Sequence, residues 1–100
     1  VLSSENTQQY PREFSINRIF PNPFNPVTKI SFDIPFGLNE KTSIQIFDLT
    51  GRWIETLIHK KLESGSYQIN WQPAQVPSGL YFLEMRSGSK RAIQKITLLK

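Results

Sequence analysis

The sequence predicts an all-β chain folded as a sandwich of two antiparallel sheets. Three observations carry this. Apolar residues alternate with polar ones over short runs, the mark of half-buried strands. No window places apolar residues at helical spacing between helix caps. Turn residues recur about every 8 to 12 positions, the rhythm of sandwich strands.

The elements follow in order. Phe14, Ile16 and Ile19 mark a first strand. The cluster Pro21-Asn22-Pro23-Phe24-Asn25-Pro26 then punctuates the chain, because proline fixes φ and has no N–H for a ladder. Ile30, Phe32 and Ile34 alternate with Lys29, Ser31 and Asp33 in a second strand that Pro35 and Gly37 end. A third strand over residues 42–49 starts with Ile44 and Ile46 inward, and Phe47 and Leu49 break the phase, which predicts a bulge or burial on both faces.

Thr50-Gly51 turns the chain into a fourth strand carrying Trp53, Ile54, Leu57 and Ile58. After Glu63-Ser64-Gly65-Ser66, Tyr67, Ile69 and Trp71 alternate cleanly with Gln68 and Asn70 in a fifth. Residues 72–78 hold Pro73 and Pro77 and are expected to cross between sheets before Gly79 opens a sixth strand with Tyr81, Leu83 and Met85 inward. Ser87-Gly88-Ser89 is a hairpin turn, and a seventh strand over residues 91–99 puts Ile96 and Leu98 on one face. Seven such strands predict an immunoglobulin-like sandwich, with Trp71, Tyr81, Phe32 and Phe47 filling the place of the disulfide that antibody domains carry.

One hundred residues make one domain, large enough to bury roughly two-thirds of its unfolded surface without metal or disulfide. With no cysteine, disulfide scaffolds and thiolate metal sites are excluded. No run approaches the roughly 18 apolar residues of a membrane-spanning helix, and residues 1–10 are polar rather than a charged-then-apolar leader. Residues 1–13 therefore read as a linker from an upstream domain, and residues 14–100 as the sandwich. The net charge of +4 is uneven: Arg86, Lys90, Arg91, Lys95 and Lys100 give +5 with no acid after Glu84, leaving −1 for the rest. A row of cations on a final strand guards an edge against aggregation and can also steer an acidic partner.

Nothing in the chain is arranged for catalysis, so the sequence is read as a non-enzyme without cofactor or metal. His59, beside Lys60 and Lys61, has no partner for a coordination set or a hydrolytic triad. The carboxylates fall on outward strand positions or turns, and none form a glycosidase pair. Asp48 shares the parity of Ile44 and Ile46 just before Leu49-Thr50-Gly51, where its carboxylate is expected to accept N–H groups of the turn. Arg52-Trp53 and Tyr81-Phe82 near Arg86 place aromatics beside cations, but such rings belong to a sandwich core more often than to a nucleobase platform, and no nucleic-acid partner is expected. Trp53, Phe36 and Trp71 are the one set that could form a glycan-binding row, and they too are read as core.

Four stretches remain: Phe20-Pro21-Asn22-Pro23-Phe24-Asn25-Pro26, Ile46-Phe47-Asp48-Leu49-Thr50-Gly51, Ser78-Gly79-Leu80-Tyr81, and Lys95-Ile96-Thr97-Leu98-Leu99-Lys100. In order and spacing they resemble the C-terminal sorting domains (type A) of type IX secretion. The resemblance implies an address label on a larger exported precursor, recognised by the outer-membrane translocon, cut off by a sortase-like peptidase, and passing the periplasm on the way to the cell surface or beyond. Residues 95–100 would carry translocon recognition, with Pro21, Asn22, Pro23, Phe24, Pro26, Asp48, Gly51, Gly79 and Tyr81 as the structural motif. With no residue after Lys100, β-addition to the last strand is the expected mode of recognition. The opening cluster and the Ser-Gly-Leu-Tyr stretch are also similar to the immunoglobulin-like domain of the flagellar hook-capping protein, which would make the chain an assembly module. An accessory carbohydrate-binding sandwich of a secreted hydrolase is a third class.

Overall fold

A computed structural model describes residues 10–100. The greater part of the expected linker, residues 1–9, lies outside the described residues. The chain forms seven strands: β1 Ser15–Phe20, β2 Thr28–Ile34, β3 Thr42–Asp48, β4 Trp53–Lys60, β5 Gly65–Trp71, β6 Gly79–Ser87 and β7 Lys90–Leu98. They pair antiparallel in two sheets, a three-stranded one ordered β1-β2-β5 and a four-stranded one ordered β4-β3-β6-β7. The fourth strand thus joins the sheet of the third, sixth and seventh, whereas the constant-type immunoglobulin arrangement puts it beside the fifth. The proline-bearing segment between β5 and β6 crosses from one sheet to the other, as two prolines outside any ladder require.

The period-two pattern does its work in the core. Ile30, Phe32 and Ile34 of β2 face Ile44 and Ile46 of β3 and Leu83 and Met85 of β6, all fully buried. Trp71 sits at one end of this core, its ring 5.4 Å from Phe24 and 5.9 Å edge-on from Tyr81. Its indole N–H donates to Glu55 Oε1 at 2.9 Å, so the buried tryptophan keeps a polar partner on the edge strand β4. The Tyr81 hydroxyl, near the start of β6, donates to Pro77 O four residues upstream at 2.5 Å. That is the tyrosine corner of immunoglobulin-like sandwiches, tying the crossing segment to the strand it feeds. Burial pushes the Tyr81 hydroxyl pKa up, and the Asp48 charge adds to the shift.

Three core expectations are corrected. Phe47 is only half-buried and lies on the outer face of the four-stranded sheet, opposite in parity to Ile44 and Ile46. β3 itself keeps one alternation along its unshifted ladder with β6, and the irregularity lies in β4, whose register with β3 shifts between Ile44 and Gln45 and again between Ile46 and Phe47. Trp53, paired with Phe47, is 59% exposed rather than core. Phe36, also read as core, is 67% exposed, and the alternative row of Trp53, Phe36 and Trp71 does not exist as a surface. Trp71 is 1% exposed, and Phe36 lies in the β2–β3 loop against Tyr10, at the opposite end of the sandwich from Trp53.

Candidate functional site

The proline cluster and the terminal strand, some seventy residues apart, form one hydrogen-bonded unit. Phe24 N–H donates to Thr97 O at 2.9 Å and Leu99 N–H to Phe24 O at 3.0 Å, a short parallel bridge between Phe24 and Leu98. Asn22 extends it: its carboxamide donates through Nδ2 to Lys95 O at 3.2 Å and accepts at Oδ1 from Thr97 N–H at 2.9 Å. The amide thus copies the donor and acceptor of a strand backbone where prolines on either side supply no N–H of their own. Pro21 O accepts from the Thr28 hydroxyl at 2.7 Å, which returns the cluster to β2. Lys100 N–H donates to Ser78 Oγ at 2.8 Å.

This overturns the premise of the expected β-addition at residues 95–100. The outward backbone groups from Lys95 O to Leu99 N–H are occupied by Asn22 and Phe24. Ile96 and Leu98 are buried on the inner face, and Lys95, Leu99 and Lys100 are exposed. Within the stretch assigned to recognition, then, two side chains hold the fold and three meet solvent.

The other motif residues gather at the same end. Gly79 pairs with Leu98 and Tyr81 with Ile96 on one side, and Tyr81 pairs with Asp48 on the other. Phe24, Trp71 and Tyr81 pack in sequence beneath them, the first pair tilted and the second edge-on. Asp48 closes its own turn. Its Oδ1 accepts from Thr50 Oγ1 at 2.7 Å, Thr50 N–H at 2.8 Å and Arg52 N–H at 3.0 Å, and its Oδ2 from Arg52 Nε at 3.0 Å. Gly51, at φ +87°, supplies the left-handed step. With four donors aimed at it, the Thr50 hydroxyl foremost, the carboxyl is held well below the usual carboxylate range.

That shift has a sign. A carboxyl whose folded pKa lies below its ordinary value of 3.8 stabilises the fold above that pH, and the contribution fades as acid protonates it. Asp48→Asn has no proton to take up there. Urea midpoints measured from neutral pH down to about pH 3 are expected to fall less steeply for the variant than for the wild type. Parallel acid limbs would remove Asp48 from the account.

Sequence reasoning found every stretch of this end but not the groups that join them. The Asn22 carboxamide and Ser78 hydroxyl act over distances in sequence that leave no local pattern. A third omission was legible: apolar residues side by side in an alternating strand, Ile46-Phe47 and Tyr81-Phe82-Leu83, must put an apolar side chain on each face. Phe47 and Phe82 accordingly pair on the outer face beside Trp53. The Trp53 indole is oriented there by its hydrogen bond to Thr56 Oγ1 at 2.9 Å.

Among the described residues no three His, Cys, Asp or Glu side chains gather as a metal set, and no helix is long and apolar enough to cross a membrane. A family model described as a secretion system C-terminal sorting domain matches residues 18–99. No curated protein matches the chain.

Proposed function

Since the chain belongs to the secretion system C-terminal sorting domain family, the sorting signals of type IX secretion, we propose that it takes a larger precursor through the outer-membrane translocon as a folded label and is then cut off by a sortase-like peptidase. The observation that carries this reading is the joining of the two ends of the family match. Asn22 and Phe24 clamp the strand that ends at Leu98, so the label presents one composite face only when folded. The translocon-facing residues of that face are Lys95, Thr97, Leu99 and Lys100, flanked by Asn22 and Pro23. Ile96 and Leu98 serve from beneath, by holding the strand in place.

Cleavage takes place in residues 1–13, ahead of the first strand, because a peptidase needs extended backbone that a packed sheet does not offer. The domain contributes no turnover. It supplies a stable shape, a clamped terminal strand and a cationic rim made by Lys90, Arg91, Lys95 and Lys100. The cargo reaches the cell surface or the medium by way of the periplasm.

The test carries the 100-residue chain behind a fluorescent protein with an ordinary export leader, in a type IX-competent strain and in its translocon mutant. Fluorescence outside the competent cells only, on a product shortened near the junction, is the expected result. Retention in the periplasm of both strains, with the domain folded, would overturn the reading.

A further inference from the structure

The clamp covers only half of the outer edge of β7. In the β6–β7 ladder the register runs from Gly79–Leu98 to Ser87–Lys90 with no shift, so the direction of each backbone group is set along the whole strand. Thr97 N–H and C=O, Lys95 C=O and Leu99 N–H point away from β6 and meet Asn22 and Phe24. The same parity turns the N–H and C=O of Arg91 and Ile93, and the N–H of Lys95, away from β6. Among the described residues none of these donates or accepts a hydrogen bond, and β7 has only β6 as a neighbour in its sheet. A row of five backbone groups is therefore without a hydrogen-bond partner beside a row that is closed, with β1 of the other sheet the element that approaches this side of β7.

The side chains along the open row define what fits it. Arg91, Ile93 and Lys95 project from the outer face, cation, apolar, cation. Ile93 is 48% exposed. Glu84 is shared by Arg91 at 2.6 Å and Arg86 at 3.3 Å, so one carboxylate meets two guanidiniums and the row keeps a positive surplus, to which Lys95 adds. A second copy of this strand would bring Arg91 and Lys95 against like charges, which opposes pairing. An incoming strand with carboxylates opposite Arg91 and Lys95 and an apolar residue opposite Ile93 would gain on all three positions.

We propose that residues 91–95 of β7 are a docking edge that accepts an added strand of acid–x–apolar–x–acid pattern from the export machinery. The proposal rests on the sorting reading above and moves β-addition from residues 95–100 to the segment before them. The Asn22–Phe24 clamp sets where the added strand must stop, since beyond Lys95 the edge is already filled.

Proline at a position whose N–H faces outward removes one donor from the incoming ladder and none from β6–β7. Ile93→Pro should therefore lower the exported fraction of the fluorescent fusion about tenfold or more, the factor expected when an interfacial hydrogen bond is replaced by a clash. Ile93→Thr, which keeps the N–H and the β preference, should export within about twofold of wild type. Arg91→Pro, with its N–H on the same side, is the second variant should Ile93→Pro lower the unfolding temperature. Normal export of a folded proline variant, beside translocon-dependent export of the wild type, would overturn the docking edge and leave the sorting function standing. Failure of the wild type itself would strike the function instead. A wild-type domain that sediments as a dimer and a proline variant that sediments as a monomer would assign the edge to a second copy and overturn the acidic partner.

Discussion

Truncating the chain after Gln94 is expected to abolish export by unfolding the domain. The deleted residues include Ile96 and Leu98, which are fully buried, and with them go both partners of the Phe24 bridge and of the Asn22 carboxamide. Removing one such side chain from a packed core costs about 2–5 kcal/mol. Losing two neighbours costs about 4–8 kcal/mol, comparable with the whole stability of a domain of this size. Circular dichroism and urea unfolding of the truncated chain should show lost tertiary structure. A truncation that unfolds at the wild-type midpoint would mean that residues 95–100 are not part of the core. The deletion cannot separate a recognition sequence from a structural strand. Changes confined to the exposed Lys95, Leu99 and Lys100 can, because they leave Ile96 and Leu98 in place.

Phe24→Ala is expected to lower stability by about 3–5 kcal/mol, or roughly 15–25 °C in unfolding temperature. Phe24 is 2% exposed although it lies in a segment between strands, and its ring packs on Trp71 while its backbone bridges Leu98. The change leaves a hole beneath the clamp rather than on the surface. Phe24→Leu, which retains most of the volume, is expected to cost about 1–1.5 kcal/mol. Differential scanning calorimetry of the two variants gives the comparison. An Ala variant that melts with the wild type would mean that the proline cluster is not docked. Because the same segment seals residues 95–99, hydrogen exchange of the Thr97 and Leu99 amides should quicken in the Ala variant even below its melting range.

The seven strands were legible because their causes are local. Ile30, Phe32 and Ile34, or Tyr67, Ile69 and Trp71, alternate at the period of a strand that is buried on one face, and the prolines and glycines between them cannot continue a ladder. The crossing at residues 72–78 was readable for the same reason. β3 and β4 were harder. Phe47 takes the outer face by the plain alternation of β3, whose ladder with β6 is unshifted, while Trp53 comes to lie beside it because two register shifts redirect the pairing of β4 with β3, and a shift of register is decided between strands, not within one. Composition made both rings look like core, since large aromatics are buried more often than not.

The sequence by itself determined an all-β domain, the order of its strands and their bounds to within a residue or two, the inward residues of β2, β5, β6 and β7, and the four stretches that mark its family. All of these follow from the chemistry of neighbouring residues. Only the tertiary structure decided that the four stretches meet at one end of the sandwich, that Asn22 and Phe24 close half of the last strand's edge, and that residues 91–95 keep the other half open. Those outcomes depend on pairing between segments far apart in the chain, where hydrogen-bond geometry and shared burial select the partner and no local pattern records it.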